Sequence, residues 1–133
     1  MKKEKFSQKI VNQKEYKNLV DELKSLISDR KSQAYKAVDN IKVQTYWQIG
    51  ERIVREELKN KNRAEYGKYL IDNLAVDIGI EYKLLYRIVR FFRIYPILVT
   101  LSRELSWSHY IELMELPNNR MRLFYEYKTI KNS

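Results

Sequence analysis

The sequence predicts an all-α fold. Its 133 residues include only three glycines and two prolines, which leaves few turns for a β fold and favours long helices. Apolar residues recur at helical spacing along most of the chain, and no segment alternates in the manner of a strand. We expect roughly six or seven helices around one long central helix, with a helix-turn-helix at about 66–94.

The first half of the chain predicts two helices. An amphipathic helix is expected over 15–27, and Ser28 and Asp29 then interrupt it and can cap the next helix. A long helix is expected over about 30–59, with apolar residues on two opposite sides that are covered from two directions. Gly50 costs this helix about 1 kcal/mol of propensity relative to alanine, so we expect a neighbouring helix to approach closely there.

The last third of the chain predicts three short helices. The first covers 97–105, after Pro96 has ended the preceding helix, and the second begins with Ser106 as its cap. The third covers 119–130, with four apolar residues expected inward: Leu123, Phe124, Tyr127 and Ile130. Residues 1–14 are predicted to be a loose tail, and 15–133 a single helical domain.

The stretch 71–92 has the layout of a DNA-binding helix-turn-helix. Ala75 supplies the small residue where two helices cross, Gly79 supplies the turn, and Leu85 and Ile88 are apolar anchors of the second helix. In this motif the second helix, here about 81–95, lies in the major groove. Its outward residues are the candidate DNA contacts: Tyr82, Lys83, Tyr86, Arg87, Arg90 and Arg93.

The charge favours a polyanionic partner. The formal net charge is +9, and the segment 82–103 has five basic residues and no acid. Such an excess points to nucleic acid first and to an anionic membrane surface second. A basic face that is only solvated is the plainer alternative, because two amphipathic helices around a glycine turn occur in many helical bundles.

No catalytic, metal or cofactor site is expected in this chain. There is no cysteine, which also favours a cytoplasmic location, and no run of apolar residues is long enough to cross a bilayer. The only histidine, His109, has no partner for a metal cluster and is expected to be structural. Three acid-x-lysine triplets, at 22–24, 57–59 and 126–128, lie in predicted helices and are attributed to chance.

Three blocks carry a family resemblance: YWQIGERIV from Tyr46, AEYGKYLIDNLA from Ala64 and LSRELSWSHY from Leu101. Over roughly 18–130 they resemble the N-terminal domain of the YhcG-like proteins. The resemblance implies a helix-turn-helix or winged-helix module followed by a nuclease domain of the PD-(D/E)-x-K class, which would use Mg²⁺ and is absent here. The turn at Gly79 is shorter than the family's, and no strand pair follows Arg93 to form a wing.

These observations predict a module that binds duplex DNA and delivers a nuclease domain. The alternative is a helical interaction or dimerisation domain without DNA contact, which would use Trp47, Val54 and Leu58 of the long helix. A homodimer is compatible with both, since many helix-turn-helix proteins bind as symmetric dimers. A self-sufficient enzyme is the least favoured hypothesis, because the acid-x-lysine triplets lie in predicted helices and neither Pro96 nor Pro117 is followed by aspartate.

Overall fold

The computed structural model describes residues 13–61 and 64–132, with the backbone alone over 64–68, and confirms the all-α fold. The described residues contain no strand, and five α-helices replace the six or seven predicted. The predicted tail lies almost wholly outside the described residues. In chain order the elements are α1 (Gln13–Lys59), α2 (Ala64–Ile78), α3 (Tyr82–Ile94), a 3-10 turn (Leu98–Thr100), α4 (Trp107–Met114) and α5 (Asn119–Asn132).

Helix α1 is continuous, so the predicted break at Ser28 and Asp29 is wrong. Both residues are helical, and neither glycine nor proline occurs in this helix before Gly50 to force a break. By its internal contacts the chain divides after Ala37 into two units, Met1–Ala37 and Val38–Ser133. Each is described here by itself, and one domain over 15–133 stays a prediction.

In the second unit, α1 joins the core only from Val43 onward. Val43, Gly50 and Ile53 are buried, whereas Val38 and Ile41, which belong to the apolar sides that the sequence predicted to be covered, are exposed. The C-terminal end of the helix is closed by Asn60, whose backbone N–H and side-chain amide both donate to the Glu56 carbonyl. Only the part of α1 from Val43 onward therefore contributes side chains to the core.

Gly50 marks the close approach that its position in a helix predicted. A Cβ atom at this residue would lie 2.7 Å from the carbonyl oxygen of Ile88 and 2.9 Å from Cβ of Phe92, both in α3. Neither distance leaves room for a methyl group. The backbones of α1 and α3 are in contact here, and glycine is the residue that permits it.

The core is built around the aromatic ring of Phe91 in α3. This ring contacts those of Tyr95, Trp107 and Tyr110 at centroid distances of 5.6, 5.1 and 5.0 Å, in tilted or edge-to-face arrangements. From α1, the indole N–H of Trp47 donates to the Tyr95 carbonyl at 2.6 Å. Burial raises the pKa of the Tyr110 hydroxyl to about 12, and this hydroxyl accepts the backbone N–H of Ser102.

The predicted start of a helix at Ser106 is confirmed. Its hydroxyl accepts the backbone N–H of His109, and Nδ1 of His109 accepts the backbone N–H of Ser106, which forms a capping box. A carboxylate oxygen of Asp39 in α1 also accepts the backbone N–H of Trp107. His109 is therefore structural, as expected. The helix predicted over 97–105 is reduced to the 3-10 turn Leu98–Thr100.

Helix α5 exposes the face that the sequence predicted to be inward. Leu123, Phe124 and Tyr127 are 68%, 54% and 64% exposed, and only Ile130 of the predicted set packs against the core. The cause is Arg122, whose guanidinium donates to the carbonyls of Leu113 and Leu116 and so turns its own side of the helix inward. Spacing identified residues that share a face, but it did not identify the face that is buried.

Candidate nucleic-acid interface

The corner between α2 and α3 is a glycine turn of the predicted kind. Gly79 has a φ of +73°, a left-handed conformation that L side chains rarely adopt. The backbone N–H groups of Gly79 and Ile80 both donate to the Ala75 carbonyl at 3.1 Å, which closes the end of α2. Ala75 is buried, and α2 packs against α3. The small residue and the turn glycine thus stand where the sequence required them.

Helix α3 is sharply two-sided. Leu85 and Ile88, the two predicted anchors, are fully buried together with Val89 and Phe91. The opposite side is exposed and carries all six of the side chains that the sequence singled out. These are Tyr82, Lys83, Tyr86, Arg87, Arg90 and Arg93.

The cations on this exposed side differ in their contacts. Arg90 Nη2 donates to the Met114 carbonyl at 2.7 Å, where α4 ends. Arg93 Nη2 lies 3.0 and 3.2 Å from the two carboxylate oxygens of Glu57 in α1. Within the described residues, Lys83 and Arg87 make no hydrogen bond or ion pair. Lys83 and Arg87 are therefore the two cations of α3 with guanidinium or ammonium groups open to a ligand.

Acidic residues from outside α3 approach the basic face, which the acid-free window in the sequence did not reveal. Glu57 and Glu115 line a cleft of about 520 Å³ together with the three arginines of α3. Glu57 lies far from Arg93 in sequence and comes from a different helix, so only the packing of α1 against α3 brings them together. The local field is less positive than the sequence alone suggested.

The two tyrosines at the start of α3 form a pair. The rings of Tyr82 and Tyr86 meet edge to face with centroids 6.3 Å apart, and both side chains are about half exposed. Desolvation, followed by the nearby carboxylate of Asp72 in α2, raises the pKa of the Tyr86 hydroxyl. The hydrogen bond between this hydroxyl and Asp72 contributes to the same shift, so an acceptor such as a phosphate oxygen competes with Asp72 for the hydroxyl proton.

The described residues show no arrangement of groups for metal-dependent chemistry. Nowhere in the described part do three histidine, aspartate or glutamate side chains converge as a metal site would need. The triplets at 22–24 and 126–128 lie in α1 and α5, and 57–59 ends α1, so all three are helical. None of the described helices combines the length and the apolar character needed to traverse a lipid bilayer.

The surface proposed for an alternative dimer is largely occupied by the chain itself. Trp47 packs edge to face on Phe92 with ring centroids 5.3 Å apart, and Val54 packs against the core. Leu58 alone of the three remains exposed, at 65%. These residues belong chiefly to the contact between α1 and α3.

The fold and this surface define an all-α domain that presents a basic helix beside a glycine turn. Residues 22–133 match the family described as the DUF1016 N-terminal domain, and the chain belongs to that family. It is 32% identical over 68 residues to the protein named "Putative nuclease YhcG" of Escherichia coli (strain K12). That alignment covers 51% of this chain and 18% of the relative. No solved structure matches the chain at a comparable level.

Proposed function

We propose that this domain binds duplex DNA through the exposed side of α3 and, in a longer protein, brings a nuclease domain to its substrate. The observation that supports this most is that Lys83 and Arg87 are exposed side chains on one side of a helix whose opposite side is fixed in the core. A rigid helix with outward cations can enter a major groove without refolding.

Each cation has its own part in the proposal. Arg87 and Lys83 contact phosphates or base edges, and arginine suits guanine and phosphate because its planar fork binds at two points. Arg90 and Arg93 keep their internal contacts with Met114 and Glu57 and add positive potential to the cleft. Tyr82 and Tyr86 sit beside these cations and contribute hydrogen bonds to the backbone of the duplex.

The relative's name supports the connection to nucleic acid, since it is called a nuclease. The chain covers less than a fifth of that relative, and the described residues hold no metal cluster, so we assign the cleavage step to another domain. In this proposal the present chain has no catalytic role. It is a targeting module that determines where on duplex DNA the nuclease domain acts.

The test is a comparison of two double variants in a fluorescence anisotropy titration with labelled mixed-sequence duplex. Lys83→Ala/Arg87→Ala removes the two cations that lack internal partners. Arg120→Ala/Lys128→Ala in α5 removes the same types and number of charges from another helix. We expect the first variant to weaken binding roughly tenfold or more and the second to weaken it far less, because losing a direct phosphate contact outweighs a change in net charge.

Arg90 is left unchanged in this design because its bond to the Met114 carbonyl gives it a structural part as well. Circular dichroism melting of each variant shows whether the fold is retained. Equal weakening by the two double variants would mean that only net charge matters, and the assignment to α3 would be wrong. Absence of duplex binding by the unaltered chain would overturn the proposal itself.

A protein-interaction domain without DNA contact is the second candidate. The exposed apolar side chains of α5, Leu123, Phe124 and Tyr127, favour it, because large apolar patches on a surface mark interaction sites. The two candidates differ in the same titration. An interaction domain leaves labelled duplex unbound at all salt concentrations, and Leu123→Ser/Phe124→Ser then changes partner binding and not DNA binding.

A further inference from the structure

The first unit of the chain contains an exposed apolar face. In α1 six residues lie on one side of the helix: Tyr16, Leu19, Val20, Leu23, Leu26 and Ile27. At about 100° per residue they fall within a stripe of about 120°. Five of them keep between 48% and 56% of their surface exposed. We call these six residues the N-terminal seam.

The spacing of the seam is that of a coiled coil. Leu19 and Leu26 are one heptad apart, as are Tyr16 and Leu23, and the pair Val20 and Ile27 repeats at the same interval. A seven-residue repeat of apolar residues drifts slowly around a straight helix, and two such helices cover it by winding around each other. Neither glycine nor proline interrupts 13–37, so the segment can present the seam as one straight edge.

The charges beside the seam are sorted by sign. Over 15–31 one flank carries Glu15, Glu22 and Asp29, each a heptad apart, and Lys36 occupies the next position of that flank. The other flank carries three lysines at the same interval, which are Lys17, Lys24 and Lys31. An amphipathic helix that lies on an anionic membrane has basic residues on both flanks, so this arrangement favours a protein partner with sorted charges of its own.

A second copy of this chain places complementary charges beside the seam only when the two helices run parallel. Two parallel helices related by a twofold axis along their length bring opposite flanks together, so the acidic flank of each meets the basic flank of the other. Two antiparallel helices bring each flank against itself, so acid meets acid and lysine meets lysine. Charges beside a coiled-coil seam set partner choice and orientation in this way. The sorting therefore selects the parallel pair.

We infer that residues 13–37 pair with the same segment of a second copy as a parallel, in-register, two-stranded coiled coil. Arg30 lies one heptad after Leu23, on the continuation of the seam, and hydrogen bonds to Gln33 of its own helix. A charge at a seam position lowers the stability of a coiled coil and fixes its register. The inference concerns self-association and does not depend on whether α3 binds DNA.

Sedimentation equilibrium of the unaltered chain, from micromolar to hundreds of micromolar, measures the association. We expect a monomer–dimer equilibrium that Leu23→Gln/Leu26→Gln weakens roughly tenfold or more, because two leucines per copy leave the apolar contact. The matched control, Ser25→Gln/Ser32→Gln, changes the opposite side of the helix and leaves the constant within about twofold. Arg30→Leu removes the charge on the continuation of the seam and strengthens the dimer.

The orientation has its own test, because the chain contains no cysteine. A single Leu19→Cys side chain meets its own counterpart in a parallel, in-register pair and forms an intermolecular disulfide under mild oxidation. In an antiparallel pair it lies many residues from its counterpart, and Asp21→Cys faces outward in either case. We expect the Leu19→Cys variant to form the intermolecular disulfide rapidly and the Asp21→Cys variant to form little of it.

Three outcomes would overturn the inference. The chain could remain monomeric at every concentration, or the seam and control variants could dimerise equally well. The third is a monomer that sediments with anionic vesicles in a manner that the leucine variant abolishes, which would identify the seam as a membrane-binding face. Because each variant leaves α3 untouched, DNA binding measured in parallel separates failure here from failure of the proposed function.

Discussion

Replacing Gly50 with alanine should destabilise the domain, although alanine is the better helix former. The added methyl group would stand 2.7 Å from the carbonyl oxygen of Ile88 and 2.9 Å from Cβ of Phe92. Ordinary van der Waals contact for such atoms begins several tenths of an ångström further away. The obstruction is backbone and a Cβ atom, not the flexible end of a side chain, so α1 and α3 must separate to admit the methyl.

The change in the free energy of unfolding of Gly50→Ala is the sum of two opposing effects. Alanine in place of glycine gains about 1 kcal/mol of helix propensity. Forcing an extra methyl group into a packed contact costs about 1–3 kcal/mol, and a backbone obstacle places this site in the upper part of that range. The expected net loss in the free energy of unfolding is therefore about 1–2 kcal/mol. For a chain of this length it corresponds to a decrease in Tm of roughly 3–8 °C.

Thermal unfolding followed by circular dichroism, together with urea titration, measures this loss. Gln48→Ala, at an exposed position of the same helix, is the matched control and should change the free energy of unfolding by no more than about 0.5 kcal/mol. A Gly50→Ala variant that is more stable than the unaltered chain by about 1 kcal/mol would show propensity acting alone. The close approach of α1 and α3 would then be refuted.

Three further predictions concern single side chains. Glu57→Gln releases Arg93 from its carboxylate partner, so it should raise duplex affinity in anisotropy titrations while lowering stability by less than about 1 kcal/mol. Trp47→Phe leaves the Tyr95 carbonyl without its indole donor and should cost about 1–3 kcal/mol in urea unfolding. Burial raises the pKa of the Glu126 carboxyl group, so the folded state favours its protonated form. The stability that this protonated form contributes is present at acidic pH and is lost as pH rises through the raised pKa. Glu126→Gln should therefore melt higher than the unaltered chain at neutral pH and equally at acidic pH; a difference that grows towards acid would contradict this sign.

Local sequence signals predicted the parts of the fold that depend on local geometry. Gly79 in a left-handed turn, Ser106 as a helix cap and Gly50 at a helix contact each follow from what one residue permits its own backbone to do. The break at Ser28 and Asp29 was wrong because polar residues weaken a helix without ending it.

Features that depend on packing could not be obtained from the sequence. The exposed face of α5 is decided by Arg122, which reaches the carbonyls at the end of α4. Helical spacing alone cannot reveal such a contact. At the candidate interface, helical spacing placed four cations on one exposed side but could not show which of them have internal partners. The ion pair with Glu57 and the bond to Met114 distinguish Arg93 and Arg90 from Lys83 and Arg87, and both are long-range contacts.

The salt dependence of duplex binding tests the central proposal most directly. Each phosphate neutralised by a cation of the domain contributes about −0.9 to the slope of log affinity against log salt concentration. We expect a slope of about −2 for the unaltered chain, from the contacts of Lys83 and Arg87, and one near zero for Lys83→Ala/Arg87→Ala. An unchanged slope in that variant, or binding that does not respond to salt, would contradict contact between the exposed side of α3 and the DNA backbone.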